Sequence, residues 1–314
     1  MKAYLLHQAG GIKNLQLEDI LRPTPAAGEV LIETKALSLN PVDFKVRPSE
    51  EVLTMILGTD ERPVILGWDV AGVVAECGEG VTEFAVGDRV FGMIRFPGHG
   101  KAYAESVVSP ADQLSLIPEG VSFEAAAATT LAALTAWQVL SPRVNAGDRV
   151  LIHAGSGGVG HYAIQLAKHL GAYVITTSSA KNRDFVLSLG ADEHVDYRET
   201  RFEDVLSDLD FVLDGMGGDV LANSMKVVKD GGGIVSLPTH EFEPAMAAEA
   251  EARDIRLEFV LVASNGDDMK QLASLLKDGT LKVHVSRTLP FSELPEAHRL
   301  LESGRTVGKL VVIL

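Results

Sequence analysis

The run Gly155-Ser156-Gly157-Gly158-Val159-Gly160 constrains this chain more than any other segment. A bare G-x-G-x-x-G pattern says little in a chain with 30 glycines. Its neighbours give it meaning. Arg149–Ala154 before it reads as an apolar strand, Val159–Leu170 as a helix stopped by Gly171, and Tyr173–Thr177 as a second strand. In that setting the first glycine permits a tight turn. The second lets backbone approach a pyrophosphate, and the third lets helix and strand pack closely. The helix start then offers free N–H groups and a partial positive charge to an anion. The run predicts a dinucleotide site.

Cofactor choice is read where the second strand ends. A carboxylate there would hold ribose hydroxyls and repel a 2′-phosphate. The chain instead carries Thr176-Thr177-Ser178-Ser179-Ala180-Lys181-Asn182-Arg183, with hydroxyls and two cations. Electrostatics favours NADPH over NADH. The bland alternative makes Lys181 and Arg183 solvated residues at a helix start, where cations are slightly disfavoured by the dipole.

Around this segment the chain changes character twice. The first third is strand-rich and punctuated by Pro and Gly; Glu29–Leu39 alternates like a half-buried strand. Ser122–Leu140 reads as one Ala- and Leu-rich helix capped by Ser122. Strands and helices then alternate, with Phe211–Asp214 and Ile234–Leu237 as further strands, which predicts a parallel sheet covered by helices. The tail returns to strands, Leu281–Leu289 and Lys309–Leu314, around an acidic helix, Ser292–Ser303. The expected class is α/β: a Rossmann doubly wound parallel sheet over residues 120–284, and a β-rich domain formed by 1–119 and 285–314.

A net charge of −15 and the absence of a basic run disfavour nucleic acid. No stretch approaches the length of a membrane span. The start, Met1-Lys2-Ala3-Tyr4, lacks the apolar core of a signal peptide, and Cys77 is the only cysteine. A cytoplasmic protein without disulfides is expected.

Several motifs together resemble the medium-chain dehydrogenase/reductase superfamily, and within it the zinc-free branch of quinone oxidoreductases and alkenal or enone reductases. They are Asn40-Pro41-Val42-Asp43-Phe44-Lys45, Leu66-Gly67-Trp68-Asp69-Val70-Ala71-Gly72, Gly87-Asp88-Arg89-Val90, Ala154–Gly160 and Gly304-Arg305-Thr306-Val307-Gly308-Lys309. The likeness covers essentially the whole chain and implies a GroES-like β domain beside the Rossmann domain. Zinc-using members need a Cys, a His-Glu pair and another Cys. Asp43 sits near the first of these positions and Trp68-Asp69 replaces the pair, so no metal site is expected.

The turn of Gly155, Gly157 and Gly160 is the cofactor-binding motif itself, and by this resemblance Ser156, Gly158 and Val159 hold the pyrophosphate, and Ser178, Lys181 and Tyr197 the adenosine phosphate end. Asp214 and Ser236 end strands, where a doubly wound sheet binds ligands, and are candidates for the nicotinamide side. Arg305 and Lys309 are placed at the cleft. Asn40 and Lys45 are the catalytic candidates, near the nicotinamide ribose. Lys45 either donates to a substrate carbonyl, holds the ribose or is an exposed loop lysine; Asn40 is equally readable as a turn residue. Phe44–Thr59 holds no Tyr to act as an acid, and Tyr103 reads as packing. The implied reaction is hydride transfer from NADPH to a quinone or α,β-unsaturated carbonyl. The alternatives are a trans-enoyl thioester reductase and an NADPH-binding sensor or structural protein. Ile255–Val262 reads as an apolar strand able to pair across a two-fold axis, so a homodimer is also an expectation.

Overall fold

A computed structural model describes residues 1–314. Sixteen strands follow in chain order. The first eight are β1 (Lys2–Leu6), β2 (Leu15–Asp19), β3 (Glu29–Ser38), β4 (Val64–Ile65), β5 (Asp69–Cys77), β6 (Arg89–Met93), β7 (Ser106–Pro110) and β8 (Ser115–Leu116). The next six are β9 (Arg149–Ile152), β10 (Tyr173–Ser178), β11 (Glu193–Asp196), β12 (Leu209–Asp214), β13 (Val228–Ser236) and β14 (Arg256–Phe259). β15 (Val285–Pro290) and β16 (Lys309–Ile313) close the chain. They belong to two compact units.

The β-rich unit comprises Met1–Leu134, Val262–Gly279 and Val283–Leu314. Its larger sheet runs β15-β16-β3-β5-β6-β8, with β7 also on β3, and a small sheet runs β2-β1-β4. Strand β3 organises it. Its first half pairs with β7, Val30–Ala36 pairs with β5, and Ala36–Ser38 pairs with β16. The alternating apolar residues Val30 and Ile32 face Val70, Val74, Val90 and Val107 in one core. Because β16 pairs with the end of β3, Lys309 arrives beside Leu39 and Asn40.

The second unit comprises Thr135–Leu261 and Thr280–Lys282. Its sheet is wholly parallel, in the order β11-β10-β9-β12-β13-β14. Renumbered from β9, that is the doubly wound order 3-2-1-4-5-6. Its core gathers Leu151, Ile175, Val212 and Ile234 from four neighbouring strands.

The units are cut differently from the sequence expectation. Residues 120–134 and 262–279 belong to the β-rich unit. The Phe123–Ala128 helix buries Ala126, Ala127 and Ala128 against β3, β5 and β16. The Gly266–Lys277 helix lies so close to the Ala111–Gln113 turn that a Cβ on Gly266 would meet Asp112 O at 2.2 Å. Conversely, Gln165 holds Lys282 in the second unit by two bonds, Nε2 to Lys282 O (3.0 Å) and Lys282 N to Oε1 (2.7 Å).

One predicted helix is two. Ser122 caps as expected, accepting from Ala125 N at 3.2 Å, but the helix ends at Ala128 and a second runs Leu131–Leu140. Thr129 and Thr130 turn their hydroxyls back onto the carbonyls of Ala125 (2.8 Å) and Ala127 (2.7 Å). Such bonds compete with helical continuation. No helix in the chain is long and apolar enough to cross a membrane.

Candidate functional site

In the Rossmann unit the glycine turn leaves the carboxyl end of β9, and its helix runs Gly158–His169. Ala154 opens the turn in the left-handed region, at φ 53°. Gly155 N donates to Thr177 O (2.9 Å) and Gly157 N to Ala154 O (2.8 Å). Steric reasons for two glycines are explicit. A Cβ on Gly155 would meet Thr176 Oγ1 at 1.9 Å, and one on Gly160 would meet Ala154 O at 2.3 Å. Gly157 stands at the N-cap with no side chain capping the helix. The N–H groups of Gly158 and Val159 therefore have no acceptor within the helix, and an anion at this helix start would be stabilised. This cradle fits a dinucleotide diphosphate. Ser156 Oγ accepts from Asn182 Nδ2 at 2.9 Å, which ties the turn to the segment after β10.

That segment carries Lys181 and Arg183, both exposed. Ser178 is buried, and its hydroxyl donates to Ser179 O (3.2 Å) and meets His194 Nε2 (2.9 Å). Ser178 thus helps to shape the strand end. Tyr197 is 58% exposed, with the Arg198 guanidinium 5.7 Å from its ring centroid. One carboxylate escaped the sequence reading. Asp196 lies beside Ser178 in the β10–β11 register, accepting from Ala180 N (3.0 Å) and Arg198 N (3.0 Å). It comes from the third strand, so a search along the second could not find it. Both of its oxygens are engaged by backbone N–H groups.

Asp214 and Ser236 do meet at adjacent strand ends: Ser236 Oγ donates to Asp214 Oδ2 at 2.8 Å. Asp214 also accepts from Met216 N (2.9 Å) and from Gly217 N (3.0 and 3.1 Å). Both side chains are fully buried. They build the turn after β12, and the bonds they make are internal to it.

In the β-rich unit a buried polar network forms around Asp43, Asp69 and Lys309. Lys309 Nζ donates to Leu39 O (2.8 Å) and Asn40 Oδ1 (2.5 Å), and lies 3.9 Å from Asp69 Oδ2. Asn40 Nδ2 donates to Asp69 Oδ2 (2.7 Å), and Asn40 N to Asp43 Oδ2 (2.6 Å). Asp69 Oδ1 accepts from Leu131 N (3.0 Å), the N–H exposed by the helix break at Thr129-Thr130. Asn40 and Lys309 are thus brought together, but both are buried and their polar atoms face inward. In this structure the polar side-chain atoms of both are hydrogen-bonded within the protein. They hold the Pro41–Val46 helix, which presents Lys45 exposed in its last turn. Arg305 is exposed on the loop before β16.

A second chain of bonds reaches Asp43 from the surface. Arg47 Nη2 donates to Glu302 Oε1 (2.6 Å), and Arg47 Nη1 to His298 Nδ1 (2.9 Å). Arg can only donate, so the His298 proton sits on Nε2, which meets Tyr103 Oη at 3.0 Å. Burial, aided by Arg47, lowers the His298 pKa to about 3 and keeps it neutral. The Tyr103 hydroxyl keeps its own proton, and its influence lowers the Asp43 pKa. Tyr103 packs the β domain, as expected, and also serves this network. Sequence gave no signal for Arg47 or His298, 251 residues apart.

Charge balance governs the cluster. Two buried carboxylates share one ammonium. Burial pushes Asp69 up and Lys309 down, and each opposes the other's shift. Burial lifts the Asp43 carboxyl to about 8; the Asn40 N–H opposes the rise, Asp69 adds to it, and Lys309 and Tyr103 oppose it. Folded Asp43 thus keeps a proton that the unfolded chain sheds. Its stabilising protonation is fully present below about pH 4 and is lost as pH rises through about 8. Unfolding free energy should fall across that window, and Asp43→Asn should flatten the fall. Urea midpoints of both proteins at about pH 5 and pH 8.5 measure this. Parallel falls would show that another group titrates.

Comparison with known proteins bears on both units. Residues 26–119 match the alcohol dehydrogenase GroES-like domain and residues 189–312 match the zinc-binding dehydrogenase family. A 2-methylene-furan-3-one reductase of Solanum lycopersicum is 36% identical, over 99% of this chain and 79% of that protein. An NADPH-dependent alkenal/one oxidoreductase of Arabidopsis thaliana, chloroplastic, is 34% identical over the same shares. The quinone oxidoreductase structure from Coxiella burnetii superposes with a TM-score of 0.93 at 39% identity, covering 100% of this chain and 99% of that one. With the doubly wound sheet, the glycine turn and the GroES-like unit, these likenesses establish that the chain belongs to the medium-chain dehydrogenase/reductase superfamily.

Proposed function

We propose that this chain is an NADPH-dependent oxidoreductase that reduces quinones or α,β-unsaturated carbonyls without zinc. The observation that carries the reading is the open glycine cradle at the carboxyl end of β9, where the strand order reverses between β9 and β12. The relatives named for alkenal/one and quinone reduction support the acceptor class.

Gly155–Gly160 would hold the diphosphate through backbone N–H groups, and Lys181 and Arg183 the 2′-phosphate. Bound NADPH supplies a hydride to an acceptor already electron-poor by conjugation. The protein's part is orientation and charge. Lys45 is the one catalytic candidate of the pair that is exposed, and its ammonium suits a developing oxyanion. Asn40 acts by fixing the helix that carries it.

The family's zinc does not fit these residues. No group of three or more His, Cys, Asp or Glu side chains is arranged to hold a metal ion. At Asp43 and Asp69 the Lys309 ammonium already fills the place of a cation.

β14 is the edge of the parallel sheet, and Phe259 and Leu261 beside it are 37% and 44% exposed. We read this edge as a homodimer contact between two copies across a two-fold axis. The overall acidity argues against nucleic-acid partners, and a cytoplasmic location completes the reading.

Three outcomes are expected. NADPH absorbance at 340 nm should fall with quinones or alkenals, and chelator treatment should leave the rate unchanged. Tight NADPH binding without turnover of any such acceptor would refute the enzymatic reading. Lys181→Ala should raise the NADPH dissociation constant about tenfold while leaving NADH nearly unaffected; equal losses for both would remove the 2′-phosphate role. Light scattering should give a dimer mass, and a monomer at high concentration would exclude the β14 contact.

A further inference from the structure

His153 directly follows β9 in a buried position, and none of the roles above uses it. Its hydrogen bonds have only one consistent direction. On the helix Gly218–Val227, Ser224 Oγ donates to Val220 O at 2.8 Å and so has spent its proton. It must accept from His153 Nε2, 3.0 Å away. Burial lowers the His153 pKa to about 4, against the opposing charges of Asp214 and Glu203, so the ring is neutral and Nδ1 carries a lone pair. That lone pair accepts from Thr177 Oγ1 at 3.1 Å. Thr177 Oγ1 in turn accepts from Ala154 N at 3.2 Å, while Thr177 O accepts from Gly155 N at 2.9 Å.

The chain of bonds ends on the residue that opens the glycine turn. Ala154 is left-handed at φ 53°, a conformation in which an L-residue's Cβ crowds the following carbonyl oxygen. Its carbonyl accepts from Gly157 N and lies 2.3 Å from the Cβ position of Gly160. Where Ala154 sits therefore decides where the anion-binding N–H groups point.

We propose that His153, locked in the Nε2–H tautomer between Ser224 and Thr177, is a positioning residue that holds Ala154 left-handed and thereby sets the affinity of the turn for a dinucleotide diphosphate. His153 touches neither cofactor nor substrate. Its N–H to Leu213 O bond (3.0 Å) and its Ser224 contact also tie the turn to β12 and to the helix beyond, on the nicotinamide side of the strand reversal. This inference rests on the reading of Gly155–Gly160 as the diphosphate cradle.

The test is fluorescence titration of the full chain with NADPH and with NADH. Thr177→Val keeps the shape but removes the acceptor of Ala154 N–H and the donor to His153. It should weaken both nucleotides equally, by about tenfold, with kcat at saturating NADPH kept within about twofold. In an Ala154→Gly background, where the left-handed conformation carries no penalty, the same substitution should cost much less. His153→Asn keeps an acceptor near the Nδ1 position and His153→Gln a donor near Nε2, so His153→Asn should bind NADPH more tightly than His153→Gln. This second pair decides the matter if Thr177→Val does not fold. Unchanged affinity in Thr177→Val, an equal loss in the Ala154→Gly background, or equal affinities for the two His153 variants would overturn the inference while leaving the cradle intact. Failure of the unaltered protein to bind either nucleotide would remove the cradle reading and the inference together.

Discussion

The reversal of strand order between β9 and β12 is the constraint on which the functional organisation rests. Parallel strands need crossover helices, and these run to opposite faces on either side of the reversal. The carboxyl ends of β9 and β12 are thereby left uncovered by any connection. Backbone groups there have no partner from the sheet, so the turns that follow must satisfy their own polar atoms. The turn after β12 does so through the Asp214 carboxylate. The turn after β9 does so only in part, and the N–H groups left over at the start of the Gly158–His169 helix are its binding capacity.

The β-rich unit solves a different problem. It buries two carboxylates, an amine and an amide around the end of β3. The Lys309 ammonium supplies the positive charge among them. The cost of burying charge is offset by hydrogen bonds from Asn40, Leu131 and the Lys309 amine, and by a proton kept on Asp43. The start of the Pro41–Val46 helix, the element that offers Lys45 to solvent, is bonded into this network through Asn40 and Asp43.

Much of this was legible in the sequence because it depends on local chemistry. The glycine spacing, the apolar strands on either side and the cations after the second strand concern residues near one another. They led to the right fold class and the right cofactor. The Ser122–Leu140 helix was read as continuous because alanine and leucine favour helix throughout. Only the distant Asp69 carboxylate, which takes the Leu131 N–H, gives the break at Thr129-Thr130 its structural use. Asp196 went unnoticed for a similar reason, since β11 lies beside β10 only after the sheet has formed.

The sequence by itself determined that a strand, a glycine turn and a helix follow one another, and that no carboxylate lies in the segment directly after the second strand. It also put Asp43 and Trp68-Asp69 at the positions where, by the resemblance, zinc-using members carry ligands. Steric freedom and residue type are properties of short segments, so these conclusions need no long-range contact. Tertiary structure alone decided which polar residues face outward. Asn40, Lys309, Asp214 and Ser236 have the chemistry of ligands, yet β3–β16 and β12–β13 pairing bury them against partners up to 270 residues away. A buried polar group must bond to what surrounds it, and pairing across the sheets chooses those surroundings.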